Sequence, residues 1–325
     1  MPEPLLEVRN LSVAYLTETA DVRAVDRVSF TVAPGEFLGI VGESGCGKST
    51  LLFGVAQLLS PPGEVVGGDV IFRGEDMVRL GPDDLRHMRW RDFSIVMQSA
   101  MNALNPMKSI EAQFKDTLEA HGTLSHEEIQ QRSAEVLEMV GIDPIHLGSY
   151  PHQLSGGMRQ RAMIAMALLF TPQLVMMDEP TSALDVVAQR SLMTKVKDLQ
   201  QSLGFAIIFV THDMSVVSRY SDHVMVMYAG QIAEAARTES IFTRPLHPYT
   251  RGLMSAFPSV TGPRRELVGI PGAPPDLARP PTGCRFNPRC PDVMPECLTQ
   301  DPELYVVGDA EVRCLLYAKQ TKKAM

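Results

Sequence analysis

No long apolar run exists in this sequence. Its richest stretch, Ala162–Phe170, falls far short of the roughly 18 residues that a membrane-spanning helix needs. Met1–Asn10 does not place a basic region ahead of an apolar one, so no secretory leader is expected. Positive charge is in deficit as well: 30 Lys and Arg face 38 Asp and Glu, a formal net charge of −8. Non-specific nucleic-acid binding depends on Lys and Arg neutralising phosphates, so nucleic acid is not expected as a partner. Heptad runs, internal repeats and low-complexity tracts are missing too. Cysteine is sparse, five in 325 residues, and without an export signal free thiols or metal ligands are expected rather than disulfides. Any membrane contact must therefore come through a partner.

What remains is an ordinary globular composition, 45% hydrophobic and 21% charged, long enough for one large core plus an appendage. Leu5–Tyr15 and Val22–Val32 alternate apolar and polar residues, which predicts antiparallel strands with one wet face. Phe37–Val41, Leu174–Met177, Ala206–Val210 and Val224–Tyr228 are instead short, wholly apolar runs, the pattern of parallel strands buried on both faces. Helix-period stretches at Lys48–Leu59, Met158–Phe170 and Ala188–Leu203 lie between them, so the core is α/β. About Ser99–Ser155 reads as a mostly helical, polar insertion, with Glu127–Val140 its clearest helix. After about Ala235 prolines crowd the chain (Pro245, Pro248, Pro258, Pro263, Pro271, Pro274, Pro275, Pro280, Pro281). That shift marks a boundary and a loop-rich C-terminal extension.

Gly42-Glu43-Ser44-Gly45-Cys46-Gly47-Lys48-Ser49 matches G-x-x-x-x-G-K-[ST], and it follows an apolar strand and opens a helix, as that motif requires. Its glycines let backbone N–H groups turn toward a phosphate, and the helix N-terminus adds positive potential. Lys48 is placed to reach the β- and γ-phosphates and the Ser49 hydroxyl to ligate Mg²⁺. A second strand, Leu174–Met177, ends in Asp178 and Glu179. Asp178 suits Mg²⁺, and Glu179 suits accepting a proton from an attacking water. A strand that merely exits to solvent would read alike; the upstream phosphate loop favours the functional reading.

Leu154-Ser155-Gly156-Gly157-Met158-Arg159-Gln160-Arg161 places Ser155, Gly156 and Gly157 at a helix N-terminus, a second anion site. Standing just ahead of the acidic strand, this segment resembles the signature motif of ABC ATPases. Gln98 resembles that family's Q-loop glutamine, Ser182-Ala183-Leu184-Asp185 its D-loop and His212 its switch histidine. Tyr15 stands where the family stacks an aromatic on adenine, although a plain core tyrosine would look the same. The resemblance spans about Leu5–Arg237. It implies a P-loop NTPase core with an N-terminal antiparallel β subdomain, residues 1–235 forming the nucleotide-binding domain and about 99–155 its helical insertion. It implies ATP and Mg²⁺ as cofactors, with nucleotide contacts from Tyr15, Gly42, Ser44, Gly45, Cys46, Gly47, Lys48, Ser49, Thr50, Ser155, Gly156, Gly157 and Asp185. Glu179, His212 and Gln98 would be catalytic, and Ser49, Gln98 and Asp178 would hold Mg²⁺. The Cys46 thiol itself is read only as a tolerated small side chain in the loop.

Arg244-Pro245-Leu246-His247-Pro248-Tyr249-Thr250 resembles the HPY segment of oligopeptide, dipeptide and nickel importer ATPases, which makes 236–325 that family's C-terminal extension. The implied partners are a second ATPase subunit, identical or related, two transmembrane permeases and an extracytoplasmic substrate-binding protein. The implied location is the cytoplasmic face of the membrane. Di- or oligopeptides lead as cargo, with oligosaccharide and nickel open as alternatives. A soluble ABC ATPase acting on ribosomes or DNA is disfavoured by the single motif set and acidic charge. A P-loop kinase would lack the Ser155–Gly157 segment, and a non-catalytic partner would lack Lys48, Asp178, Glu179 or His212. Cys284, Cys290, Cys297 and Cys314 resemble the four-cysteine arrangement that some members use for a [4Fe–4S] cluster. Soft thiolates suit iron–sulfur or zinc; the spacing disfavours zinc, and uncoordinated thiols stay open. The segment after Gln98, Ser99-Ala100-Met101-Asn102-Ala103-Leu104-Asn105-Pro106, departs at its start from the family's usual DPMTSLNP.

Overall fold

The computed structural model describes residues 3–17, 21–98, 103–122, 124–182, 184–256 and 269–319. The altered segment Ser99–Asn102, Ala183 of the D-loop, and Pro258 and Pro263 lie outside them. The chain divides into two compact units, one of residues 1–3, 32–37 and 79–209, the other of 4–31, 38–78 and 210–325.

In the first unit Phe93–Val96 pairs in parallel with Leu174–Asp178, from Phe93 opposite Leu174 to Val96 opposite Met177. All five residues of Leu174–Asp178 are buried, which is why the segment reads as a continuous apolar run. Gly156–Ala167 and Val186–Leu203 are its main core helices. The insertion carries Ile110–Glu119, which buries Ile110, Phe114 and Leu118, and His126–Met139, which buries Ile129, Val136 and Leu137. Ser109 caps the first by accepting from the Ala112 N–H. Ser125 and Glu128 cap the second reciprocally, satisfying two otherwise orphaned donors. Arg132 on this helix donates to the carbonyls of Leu168 and Leu169, closing the C-terminus of the Gly156–Ala167 helix where carbonyls lack intrahelical partners.

The second unit holds an antiparallel sheet in the order Asp21–Val32, Leu6–Leu16, Gly63–Phe72, Glu75–Asp76. The expected one-sided wetness of the first strand holds only at its start. The register shifts between Arg9 and Val13, and beyond that irregularity Leu11–Ala14 are all buried; a bulge re-aims the side chains that follow it. In the unit's other sheet Phe37–Val41 runs parallel to His223–Tyr228, which pairs antiparallel with Gln231–Arg237. Lys48–Val55 stops short of the Leu59 expected from periodicity, with Gln57 at positive φ and Pro61 and Pro62 beyond it. Proline cannot supply a helical N–H and disfavours helix before it.

The extension is more regular than its prolines suggest. It forms helices Thr238–Thr243 and Pro248–Ser255 and a hairpin, Tyr305–Val307 with Ala310–Val312. Ala310–Val312 pairs in turn with Gln231–Arg237, Glu234 opposite Val312, so the tail prolongs a sheet of its unit. Among the described residues no helix is long and apolar enough to cross a membrane.

Candidate functional site

The phosphate loop leaves the buried strand Phe37–Val41 and enters the helix Lys48–Val55 with Gly47 as its N-cap. Gly42 and Gly47 have φ of +154° and +102°. A Cβ there would lie 2.2 Å from the Met227 carbonyl oxygen and 2.1 Å from that of Ala24. No side chain fits either place, so glycine is a steric requirement of the loop. Ser44 and Gly45 form its exposed tip, Cys46 is buried, and Ser49 and Thr50 are half-buried. The Lys48 ammonium, 6% exposed, donates to the carbonyls of Gly42 at 2.8 Å and Glu43 at 3.0 Å. Burial pushes the Cys46 thiol up, Lys48 only partly opposing it, which keeps Cys46 an inert neutral wall. Tyr15 is half-buried, its hydroxyl 3.1 Å from Thr50 Oγ1.

In the other unit Asp178 ends the buried strand at 1% exposure. Glu179 follows at φ +44°, a left-handed conformation that residues with a Cβ avoid. Its Oε2 accepts a hydrogen bond from Gln98 Nε2 at 2.9 Å. Two residues 81 apart in sequence, picked out separately by pattern, thus touch. Ser155 caps Gly156–Ala167 by accepting from the Met158 N–H at 3.3 Å, and Gly156 and Gly157 form that helix's first turn. Asp185 caps Val186–Leu203, its Oδ1 accepting from the N–H groups of Val187 and Ala188. Back in the phosphate-loop unit, His212 is exposed directly after the strand Ala206–Thr211.

The HPY segment has a local explanation. His247 Nδ1 accepts from the Tyr249 N–H at 3.0 Å, capping Pro248–Ser255, and Pro248 occupies the first helical position, where its missing N–H costs nothing. Full burial lowers His247 to about 3, so the ring is neutral and free to accept. Buried Glu234 anchors the same turn by accepting from the N–H groups of Leu246 and His247.

Cys284, Cys290, Cys297 and Cys314 line one small cavity together with His247 and Asp292. All four are free thiols. Burial, then the neighbouring cysteines, pushes Cys314 up to about 12 and Cys284 to about 11. The four positions, clustered in sequence, therefore also converge in space. Among the described residues, however, no group of three or more His, Cys, Asp or Glu has the arrangement of a metal site.

Pattern reasoning missed Arg289 altogether. Its guanidinium grips the Glu43 carboxylate inside the phosphate loop, Nη1 to Oε2 at 2.6 Å and Nη2 to Oε1 at 2.9 Å. The two residues stand 246 positions apart, and no periodicity or motif signals such a pair.

A glycine-forced phosphate loop with its lysine, an acidic strand end and a capped Ser-Gly-Gly helix together define a P-loop ATPase of the cassette class. The family described as "ABC transporter" matches residues 25–182, and "Oligopeptide/dipeptide transporter, C-terminal region" matches 233–297. A third description, "AAA domain, putative AbiEii toxin, Type IV TA system", matches 148–218. The Dipeptide transport ATP-binding protein DppD of Caldanaerobacter subterraneus subsp. tengcongensis is 41% identical over 316 residues, 96% of this chain and 97% of that protein. The Oligopeptide transport ATP-binding protein OppD of Haemophilus influenzae is 42% identical over 320 residues, 98% of each chain. Among solved structures, a dimeric post-hydrolysis state of the ATP-binding cassette MJ0796 bound to ADP and Pi matches at TM-score 0.65 and 28% identity, covering 72% of this chain and 98% of that one. The chain belongs to the ATP-binding subunits of ABC transporters, an ATPase family, and carries the oligopeptide/dipeptide-type C-terminal region.

Proposed function

We propose that this chain is the ATP-hydrolysing subunit of an importer of di- or oligopeptides, working as one half of a nucleotide-clasping pair beneath two membrane permeases. One observation carries the cargo class: likeness to dipeptide and oligopeptide transport subunits runs through the C-terminal region as well as the cassette. Residues 1–235 would be the nucleotide-binding domain, about 99–155 the surface that receives the permease, and 236–325 the extension. The pair would sit on the cytoplasmic face of the membrane and take its cargo from an extracytoplasmic binding protein.

Lys48 and the N–H groups of Gly42–Thr50 would hold the β- and γ-phosphates, with Tyr15 against adenine. Ser155, Gly156 and Gly157 of the partner copy would complete the γ-phosphate site; that the similar cassette MJ0796 is dimeric supports the pairing. Ser49, Asp178 and Gln98 offer the hard oxygen donors that Mg²⁺ takes, and the ion would neutralise charge on the phosphates. Glu179 would accept the proton of the attacking water, His212 would hold the γ-phosphate, and Asp185 would support the partner's site. Loss of the γ-phosphate contacts then releases the pair, an order–release switch.

For the extension, the finer reading is a [4Fe–4S] cluster on Cys284, Cys290, Cys297 and Cys314. Their shared cavity and soft sulfur donors support it, although the thiols stand without closed metal geometry. Such a cluster would supply a redox-sensitive structural cross-link. Iron and sulfide content after anaerobic purification tests this, and iron-free protein overturns it. The transport reading is tested by expressing the chain with its neighbouring permeases in vesicles. Peptide uptake that needs both ATP and this subunit is expected; ATP turnover without co-purifying permeases or peptide uptake overturns it.

A further inference from the structure

Glu43 lies inside the phosphate loop, yet its partners come from the far end of the chain. Its carboxylate is forked by Arg289. Its backbone N–H donates to the Tyr249 hydroxyl at 2.9 Å. Its carbonyl accepts from the Lys48 ammonium at 3.0 Å. Every polar group of Glu43 is thus engaged, and one of them orients the lysine of the loop.

The anchors are themselves held fast. Arg289, 7% exposed, donates from Nε to the Pro271 carbonyl at 2.8 Å and from Nη1 to the Tyr228 hydroxyl at 3.3 Å. Tyr249 is fully buried, with the Tyr228 and Phe286 rings at centroid distances of 4.5 Å and 5.5 Å. Burial raises its hydroxyl well above the usual range, so it remains neutral while accepting from the loop. A glycine-rich loop has little rigidity of its own, so contacts from outside it can set how its N–H groups form a phosphate-binding concavity. A bidentate arginine–carboxylate pair fixes orientation as well as distance.

We propose that Arg289 and Tyr249 are positioning residues for ATP: through Glu43 they hold the phosphate loop and Lys48 in the conformation that receives the β- and γ-phosphates. The extension thereby acts on nucleotide affinity without touching nucleotide. This rests on the loop being the ATP site, and wild-type binding of MgATP is the control that separates the two ideas. Absent wild-type binding defeats the ATP reading; wild-type binding matched by the variants defeats the positioning role.

The experiment measures Kd for MgATP on the full chain, and KM and kcat in the assembled transporter. Arg289→Ala should raise Kd and KM about tenfold, the size expected when a charge-assisted hydrogen bond is lost, with kcat changed much less. Arg289→Lys should recover part of this, because a point charge replaces a fork. Glu43→Gln should move Kd in the same direction, and the double variant Arg289→Ala/Glu43→Gln should be no worse than Arg289→Ala, since both act through one contact. Tyr249→Phe, which keeps the ring and loses the acceptor, should weaken binding about threefold. Lowered thermal midpoints with unchanged Kd and KM, or fully additive effects in the double variant, would overturn the proposal. Should Arg289→Ala fail to fold, Glu43→Gln and Tyr249→Phe decide the question, because they alter only a half-exposed carboxylate and a single hydroxyl.

Discussion

The loop Gly42–Thr50 and the turn Asp178–Glu179 are built on opposite terms. The loop packs Gly42, Cys46, Gly47 and Lys48 into the interior behind an exposed Ser44-Gly45 tip, with no room for a side chain at Gly42 or Gly47 and its lysine bound by two carbonyls. The turn instead puts a half-exposed glutamate at φ +44° and links it to an exposed Gln98 side chain. Such a conformation costs about 1–2 kcal/mol. The proposed lysine of the binding loop is held by the interior of the protein, whereas the proposed base sits in a strained turn within reach of solvent. The contrast is what one expects when affinity needs preorganisation and turnover needs a group that responds to its surroundings.

The largest expected effect tests the turn. Glu179→Gln should leave MgATP affinity near wild type, cut turnover about 10²–10⁴-fold and accumulate ATP-bound dimer on gel filtration. Unimpaired turnover would remove Glu179 from the base role and dissolve the contrast. A smaller effect probes the buried extension packed in the same unit as the loop. His247 titrates near 3 when folded against an ordinary 6.5. Above pH 6.5 both folded and unfolded chains leave it neutral; below, the unfolded chain takes a proton that the folded one refuses. Stability should therefore fall as pH drops from 6.5 toward 3, by up to about 1.4 kcal/mol per pH unit for one proton. His247→Asn, which can still cap the helix, should flatten that slope in denaturant titrations. The smallest effect sharpens the claim of strain. Glu179→Gly should raise unfolding free energy by about 1 kcal/mol, since glycine accepts positive φ, while turnover is lost.

The strands and motifs were legible in the sequence for a physical reason. Doubly buried parallel strands must be continuously apolar, so Phe37–Val41 and Leu174–Met177 announce themselves, and the chemistry they deliver stands at their ends. The Ser-Gly-Gly pattern made Ser155 legible as a helix start, whereas the caps Ser125 and Asp185 emerged only with the fold. The irregularity between Arg9 and Val13 was hidden, because it breaks the alternation on which the reading depends. The hairpin Tyr305–Val312 was hidden behind dense prolines and owes its strands to pairing with Gln231–Arg237. The convergence of the four cysteines was foreshadowed by their clustering, whereas the Arg289–Glu43 pair had no local trace.

The tail's entanglement with the phosphate-loop unit bears on how this protein can be cut or recombined. Residues 210–325 share one compact unit with 4–31 and 38–78, and Ala310–Val312 is stitched to Gln231–Arg237. A truncation near Ala235 would bare a strand edge and strip Tyr249 and Arg289 from the loop in a single stroke. Chimeras that graft another subunit's ending onto this cassette would have to carry matching Glu43 chemistry with them.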